Sequence, residues 1–285
     1  MANVEIFYFS GTGNTELLAE EYAAVLSVCG CAVGLNKIEK FTLSGAAPQV
    51  AGDVILGIGY PIHAFNAPKI VFDFIKLLPA GDGRSVFLFK CPGDSFVNGG
   101  STAPVREALT KKGYRVQLEE LLVMPGNIAA AHPPAYAQAL YRIARDKIAA
   151  SCADLLAGKE RLQQNNLLED IFTSLSRGEQ KNAYRLGKYF YTHESCTGCG
   201  CCMKNCPTDN ITIVGNRPVF GKKCIACFRC VYLCPSSSIT LKNISKVIIP
   251  TGYNIRQALR EPTGPLDQPA FDKRFKAYRD KMLGE

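Results

Sequence analysis

Two runs of cysteines have a spacing that suits metal clusters. Both follow the pattern C-x2-C-x2-C-x3-C-P, and the second repeats the first 28 residues later. The runs comprise Cys196, Cys199, Cys202 and Cys206, then Cys224, Cys227, Cys230 and Cys234. Turns at two-residue spacing bring three thiolates around one face of a cube, and proline then turns the chain away. The pattern therefore predicts two [4Fe–4S] clusters.

In paired runs of this kind, the fourth cysteine of each run binds the cluster of the other run. The predicted ligands of one cluster are Cys196, Cys199, Cys202 and Cys234. The predicted ligands of the other cluster are Cys206, Cys224, Cys227 and Cys230. Zinc is the rival metal, but zinc sites usually combine two cysteine pairs about 12–20 residues apart. Cys201, inside the first run, is predicted to be a packing or surface residue.

A turn rich in glycine and hydroxyl groups follows the first apolar run of the sequence. It comprises Ser10, Gly11, Thr12, Gly13, Asn14 and Thr15, between a strand-like and a helix-like segment. Glycines admit close backbone approach, and hydroxyls together with helix N-terminal N–H groups bind a phosphate without a lysine. The spacing matches neither G-x-G-x-x-G nor G-x4-G-K-[ST]. We therefore predict a phosphate site of another type.

The elements that must position these groups alternate along the first 158 residues. The predicted strands are Val4–Phe9, Val54–Tyr60, Arg84–Phe89 and Tyr114–Met124. The predicted helices are Thr15–Val28, Pro68–Leu78, Pro104–Lys112 and residues 133–157. This alternation predicts an α/β fold, a doubly wound parallel sheet with helices on both faces.

The character of the sequence changes beyond residue 158. A basic helical run is predicted at Leu167–Phe190, followed by short cysteine-dominated segments with a hairpin at Ile211–Phe220. These segments predict a second, small α+β domain. The predicted division is residues 1–158, a linker at 159–190, a cluster domain at 191–245 and an extension at 246–285.

The turn at Ser10–Thr15 has the form S-x-T-G-x-T, and after a first strand it resembles the FMN phosphate loop of flavodoxins. That resemblance covers roughly residues 1–155, and residues 188–245 resemble a two-cluster ferredoxin. In this order the two parts resemble the flavodoxin–ferredoxin fusion proteins found mainly in anaerobic bacteria. The resemblance implies FMN in the first part and two [4Fe–4S] clusters in the second.

Two further loops hold the flavin ring in flavodoxins, and by position they correspond to residues 59–66 and 90–100. The implied contacts are Tyr60, Pro61, His63 and Phe65, then Cys91, Gly93, Asp94, Phe96 and Gly99. Tyr60, Phe65 and Phe96 are the candidate stacking rings, because the chain has no Trp. The alternative role of each aromatic residue is ordinary packing. The alternative role of His63 is that of a hydrogen-bonding loop residue. Residues 124–127, Met-Pro-Gly-Asn, match a stretch of the family. Their residue types alone do not predict a role in binding.

Charge is divided unevenly along the chain. Residues 1–170 hold 15 Lys and Arg against 17 Asp and Glu, whereas residues 171–285 hold 18 against 8. The basic runs Arg177–Lys188 and Lys273–Lys281 are predicted to be either solvated faces or a docking surface for an acidic redox partner. No helix-turn-helix or RNA-binding pattern occurs, so no nucleic acid is expected.

The thirteen cysteines suit a compartment that keeps thiols reduced. No apolar stretch approaches the roughly 18 residues of a membrane span, and the first residues lack the basic region of a signal peptide. A cytoplasmic protein is therefore expected. The predicted function is electron transfer between the two clusters, FMN and a redox partner. The alternative is an FMN-dependent reductase of a small molecule, with His63 or Tyr60 near the acceptor.

Overall fold

A computed structural model describes residues 2–50, 52–93, 99–129, 131–164, 171, 174, 183–242, 245–273 and 275. Within these residues, the strands of the first part are β1 (Asn3–Tyr8), β2 (Ala32–Lys37), β3 (Val54–Pro61), β4 (Ser85–Cys91) and β5 (Arg115–Leu121). Its helices are α1 (Asn14–Val28), α2 (Glu39–Ser44), α3 (Lys69–Leu77), α4 (Ala103–Lys111) and α5 (Pro134–Leu156). The strands pair in parallel in the order β2-β1-β3-β4-β5. This is the flavodoxin-like doubly wound order, so the predicted fold class is confirmed.

The sheet is buried on both faces, as its apolar strands require. On one face, Leu18 of α1 and Ile148 of α5 pack with Phe89 of β4. On the other face, Phe74 of α3 and Leu109 of α4 belong to a second core cluster. Successive side chains of a strand point to opposite faces, so two separate cores form on one sheet. The sheet thereby holds the loops at its carboxyl edge in fixed positions.

Strand β2 is the element that the sequence did not reveal. It is an edge strand whose residues are all at least partly exposed, and its sequence, AVGLNK, mixes apolar with polar residues and a glycine. An edge strand buries too little surface to need a continuous apolar run. The other four strands are found where they were predicted, to within a few residues.

The cysteine-rich part is small and built from short elements. These are β6 (Phe190–Thr192), α6 (Cys201–Lys204), β7 (Ile211–Val214), β8 (Arg217–Phe220), α7 (Arg229–Tyr232) and β9 (Ile239–Leu241). Strand β6 pairs antiparallel with β9, and β7 with β8. The predicted hairpin is confirmed, with Gly215 and Asn216 both left-handed in its two-residue turn.

The C-terminal extension folds back on the α/β part. Its helix α8 (Ile255–Ala258) contacts α5, and Phe271 and Phe275 are buried with Leu140. None of the described helices is long and apolar enough to cross a membrane. Most of the predicted helix at Leu167–Phe190 and of the basic run Lys273–Lys281 lies outside the described residues. The domain boundaries therefore stay predictions.

Candidate functional site

The phosphate-loop candidate connects β1 to α1. Gly13 precedes α1 with φ 103°, a conformation that favours glycine, and its N–H donates to Ser10 Oγ over 3.1 Å. The first N–H groups of a helix have no partner within the helix. They therefore lie open to an anion at the turn that Ser10 and Gly13 close.

Thr15, in the first turn of α1, provides the clearest sign that this loop is built for a ligand. Its hydroxyl is buried and, apart from the weakly hydrogen-bonding thiol of Cys91, has no hydrogen-bond partner within the described part of the chain. Cys91 lies beside it at the end of β4, and burial raises the pKa of that thiol to about 12. A buried hydroxyl without a strong partner is costly, and a phosphate oxygen would satisfy it. The residues present therefore fit a phosphate group.

We expect Thr15→Ala to weaken FMN binding by about 10- to 100-fold, because a hydrogen bond to a charged group contributes about 1.5–3 kcal/mol. Fluorescence quenching of FMN by the flavin-free chain measures this affinity. Thr212→Ala is the matched control, because Thr212 is exposed on β7, remote in sequence from the loop. Unchanged affinity in Thr15→Ala would show that the hydroxyl does not contact the phosphate.

The Met-Pro-Gly-Asn stretch at 124–127 is hydrogen-bonded to the candidate phosphate loop. Asn127 Nδ2 donates to Thr12 Oγ1 over 2.9 Å, and Asn14 Nδ2 donates to Pro125 O over 2.9 Å. A Cβ on Gly93 would lie 2.7 Å from Gly126 Cα, so the third loop also packs on this stretch. The stretch therefore contacts both the candidate phosphate loop and the third loop, a role that its sequence did not reveal.

The second loop differs from expectation at Tyr60. Its side chain is wholly buried in the core cluster on the face of the sheet that α3 and α4 cover. Its hydroxyl has no hydrogen-bond partner among the described residues. The packing alternative therefore describes Tyr60, since its ring is fully buried, and its stacking role stays a prediction. Pro61 ends β3, and Phe65 remains half-buried in the loop with φ 61°.

His63 lies between the two parts of the chain. Its Nδ1 is 3.1 Å from Ile225 O, and burial lowers the pKa of His63 to about 4. The imidazole is therefore neutral near pH 7 and donates its Nδ1 hydrogen to that carbonyl, which can only accept. The loop-hydrogen-bond alternative for His63 describes this contact. Its bond joins the second loop to the cysteine-rich part.

The third loop is described only in part. Cys91 is buried at the end of β4, and Gly93 packs on Gly126. Gly99 begins a short 3-10 turn, Gly99–Thr102. Asp94 and Phe96 lie outside the described residues, so their contacts with the flavin stay predictions.

The two cysteine runs have the same backbone as well as the same spacing. Left-handed residues recur 28 positions apart: Gly198 with Ala226, Gly200 with Phe228, and Asp209 with Ser237. The fourth thiol of each run accepts from the N–H four residues later, at 3.3 Å from Asn210 N to Cys206 Sγ and from Ser238 N to Cys234 Sγ. The repeat therefore extends to the hydrogen bonds that stabilise thiolate ligands.

Electrostatic interactions between the thiols connect residues of the two runs, and the exchange of fourth ligands stays a prediction. Cys202 interacts with Cys234 and Cys196. Cys230 interacts most strongly with Cys227, then with Cys224, Cys206 and, most weakly, Cys202. Within the described residues no three donors converge tightly enough to hold a single metal ion. The thiolates of a [4Fe–4S] cluster bind different iron atoms, so they lie farther apart than the ligands of one ion.

The second cysteine run packs directly on the phosphate loop. A Cβ on Gly11 would lie 2.6 Å from Cys227 O and 3.2 Å from Cys227 Cβ. Cys227 and Ile225 also belong to the core cluster on the α3 side of the sheet. Gly11 therefore has a second role, because the absence of a side chain lets the cluster-binding backbone reach the loop.

Arg229 joins the same two parts by hydrogen bonds and charge. Its guanidinium donates to the carbonyl of Ser10 and, over 3.3 Å, to that of Gly11. It also pairs with Glu39 over 2.7 Å, and it lies 5.6 Å from the centre of the Phe9 ring. Both members of the Arg229–Glu39 pair are largely buried, so removing either one would leave a buried charge without its partner.

The C-terminal extension covers the other side of the phosphate loop. The Tyr253 hydroxyl lies 2.6 Å from Asn14 Oδ1 and 2.9 Å from Pro125 O. Ile255 Cγ2 lies 3.3 Å from the position that a Cβ on Gly13 would take. Sequence reasoning missed Arg229, Tyr253 and Ile255, because their partners in the Ser10–Thr15 turn lie more than 200 residues away along the chain.

Comparison with known proteins assigns the second part of the chain. Residues 188–235 match the family model of the 4Fe-4S dicluster domain. This segment contains both cysteine runs, so the predicted clusters agree with it. No curated protein matches the chain.

Solved structures resemble the first part of the chain. An NADH:FMN oxidoreductase in its apo form is 16% identical, covers 54% of this chain and 90% of its own, and has a TM-score of 0.42. A short-chain flavodoxin associated with a PDU bacterial microcompartment is 18% identical over 55% and 98%, with a TM-score of 0.40. The two-electron reduced Megasphaera elsdenii flavodoxin is 22% identical over 53% and 98%, with a TM-score of 0.33. The fold assignment itself rests on the strand order.

Proposed function

We propose that this chain, which joins an α/β part of flavodoxin-like topology to a 4Fe-4S dicluster domain, is an electron-transfer iron–sulfur flavoprotein. It passes electrons between its two [4Fe–4S] clusters and FMN, to or from a redox partner. FMN, when bound, exchanges one or two electrons, whereas each cluster exchanges one at a time. The chain therefore converts between one- and two-electron transfers.

The contact between Cys227 and Gly11 carries this proposal. It places a predicted cluster ligand against the loop that would hold the flavin phosphate, without an intervening side chain. Arg229 fixes this arrangement by bonding to two carbonyls of the same loop. Together with the bond from His63 to Ile225 O, this contact brings the second cysteine run against two of the candidate flavin loops, and an electron-transfer chain requires short separations.

The residues that would hold each group follow from the geometry. Ser10, Thr12 and Thr15, with the first N–H groups of α1, would bind the FMN phosphate. Asn14 and Asn127 keep that loop in place through Pro125 O and Thr12 Oγ1. The eight run cysteines would hold the clusters, with Cys206 and Cys234 exchanged between them. Cys201, whose Sγ lies 3.3 Å from Leu233 O, has no place in either set.

Composition of the anaerobically purified chain is the first test. We expect about eight iron and eight sulfide per chain, together with one FMN. Metal analysis, sulfide determination and the absorption spectrum of the released flavin give these numbers. Stoichiometric zinc, or iron without any flavin, would contradict the proposal.

A reductase of small molecules is the second candidate, and one observation favours it. A cavity of about 1060 Å³ lies beside the second loop, between α3 and the cluster domain. His63, Asn66 and Cys224 are among its lining residues. A space of this size accommodates a small organic acceptor. The reductase function differs from the electron-transfer function proposed first, here called the carrier function, in what oxidises the reduced chain. A small molecule does so in the reductase function, and a second protein in the carrier function.

The partner in the carrier function is a redox protein of acidic surface, because residues 171–285 carry an excess of ten positive charges before cluster binding. Opposite surface charge accelerates encounter between electron-transfer proteins. We place the chain in the cytoplasm, where the eight ligand thiols stay reduced until iron binds them.

A further inference from the structure

We propose that the cluster held by Cys196, Cys199, Cys202 and Cys234 is the port through which electrons enter or leave the chain. The face around Cys199 is the docking surface for an acidic one-electron redox protein. The other cluster is the relay next to the flavin site. This inference rests on the proposed function and adds an order of transfer and a surface to it.

The 28-residue repeat produces the same face twice. Cys199, Cys201 and Met203 of the first run correspond to Cys227, Arg229 and Val231 of the second. Helices α6 and α7 also correspond, since they begin at Cys201 and Arg229. The two cluster halves therefore present equivalent surfaces in two directions.

One of these surfaces is occupied by the α/β part of the chain. Cys227 is 9% exposed, and its carbonyl oxygen lies 2.6 Å from the position that a Cβ on Gly11 would take. Arg229 donates to the carbonyls of Ser10 and Gly11. This contact covers Cys227, the counterpart of Cys199, whereas Cys224 of the same predicted ligand set lines the cavity between α3 and the cluster domain.

The equivalent surface of the first run is open. Cys199 is exposed, Met203 is 37% exposed, and the neighbouring Leu233 is 49% exposed. Cys201 Sγ lies 3.3 Å from Leu233 O, and Met203 Cε lies 4.0 Å from the position that a Cβ on Gly200, next to Cys199, would take. An exposed ligand thiol near exposed apolar side chains gives a partner a short path to the cluster. The internal contact at Cys227 shows that this type of surface accepts a redox domain.

Charge at the rim decides the kind of partner. Lys204 ends α6 beside Met203 and is exposed, whereas its counterpart in the second run, Tyr232, donates to Asn127 O over 2.7 Å. A cation beside an apolar patch favours an acidic partner over a basic one. A reduced one-electron carrier loses one electron to the port cluster at each encounter. Two encounters supply the two electrons that FMN takes, and solvent supplies the protons.

The accessibility of each cluster to a paramagnetic probe in solution tests the order of electron transfer without measuring turnover. Cys206→Ala leaves the port cluster as the intact one, and Cys234→Ala leaves the relay cluster. We expect a chelated dysprosium complex to raise the half-saturation power of the EPR signal severalfold in reduced Cys206→Ala, and to change it little in reduced Cys234→Ala. Equal relaxation in the two variants, or stronger relaxation in Cys234→Ala, would overturn the proposal.

The docking surface is tested on the full chain with an acidic ferredoxin, reduced by dithionite, as the electron donor. We expect Met203→Glu to slow cluster reduction about tenfold, because the new charge repels an acidic partner. Val219→Glu is the matched control, since Val219 is 50% exposed on β8. Equal rates in the two variants would overturn the surface assignment. Flavin content is measured on the same samples, and its absence would refute the proposed function while leaving the EPR result valid.

Discussion

Replacing Cys234 with alanine is expected to remove the cluster built on Cys196, Cys199 and Cys202, and to leave the other cluster in place. Cys234 is only four residues from Cys230 in sequence, yet the two cysteines belong to different predicted ligand sets. Cys202 interacts electrostatically with the thiols of Cys234 and Cys196, which supports a place for Cys234 beside the first run. Iron and sulfide should therefore fall from about eight to about four per chain.

The measurement combines metal analysis with EPR of the reduced protein, because two coupled clusters and one isolated cluster give different spectra. Cys201→Ala is the matched control, since this thiol lies inside the first run and contacts Leu233 O instead of a cluster position. Cys206→Ala provides the reciprocal result, by removing the cluster of Cys224, Cys227 and Cys230. Loss of that second cluster in Cys234→Ala would disprove the exchange of fourth ligands.

The sequence was most informative where chemistry depends on neighbours along the chain. Cluster ligands two and three residues apart, the turn at Ser10–Thr15 and the hairpin around Gly215 are all local, so their spacing is enough to predict them. The apolar strands were also predictable, because a parallel sheet covered on both faces needs continuous apolar runs. Strand β2, half-exposed at an edge, has no such run.

The residues that the sequence did not reveal act across long separations. Tyr60 is an aromatic residue at the end of a strand, as a stacking residue would be. Only its packing with α3 shows that its ring lies in the core. Arg229 is one basic residue among many until its bonds to Ser10 and Gly11 are seen. Tyr253 lies 239 residues from its partner Asn14. No local pattern encodes contacts of this kind.

These long-range contacts also change the interpretation of the glycines in the phosphate loop. Gly13 is explained by its left-handed backbone, which the turn into α1 requires. Gly11 is explained by a neighbour that lies 216 residues further on, the carbonyl of Cys227. One loop thus meets two separate demands, a tight turn into α1 and contact with the cluster domain.

Replacing Gly11 with alanine is expected to separate the relay cluster from the flavin site while both groups stay bound. The new Cβ would lie 2.6 Å from Cys227 O, closer than backbone atoms tolerate, so one of the two parts must move. Overpacking of this kind costs about 1–3 kcal/mol. The free energy of unfolding should fall by this amount, and the Arg229 bonds to Ser10 and Gly11 should weaken.

Electron transfer is the more sensitive readout, because its rate falls steeply with distance. We expect flavin reduction through the clusters to slow severalfold in Gly11→Ala, because the rate of electron transfer falls exponentially with the separation of the two groups. Anaerobic rapid mixing with a reduced one-electron donor follows the flavin and cluster absorption separately. The clusters should be reduced at the rate of the unmodified chain, and only the subsequent step should slow.

The control for this substitution is Gly264→Ala, because a Cβ there meets nothing within 4 Å and its backbone is not left-handed. It adds the same methyl group without touching either cofactor site, so stability and rates should stay unchanged. If Gly11→Ala lowers FMN content as well, adding FMN in excess separates weaker binding from slower transfer. A variant that stays saturated with FMN and transfers at the original rate would show that the Cys227–Gly11 contact is not the electron path.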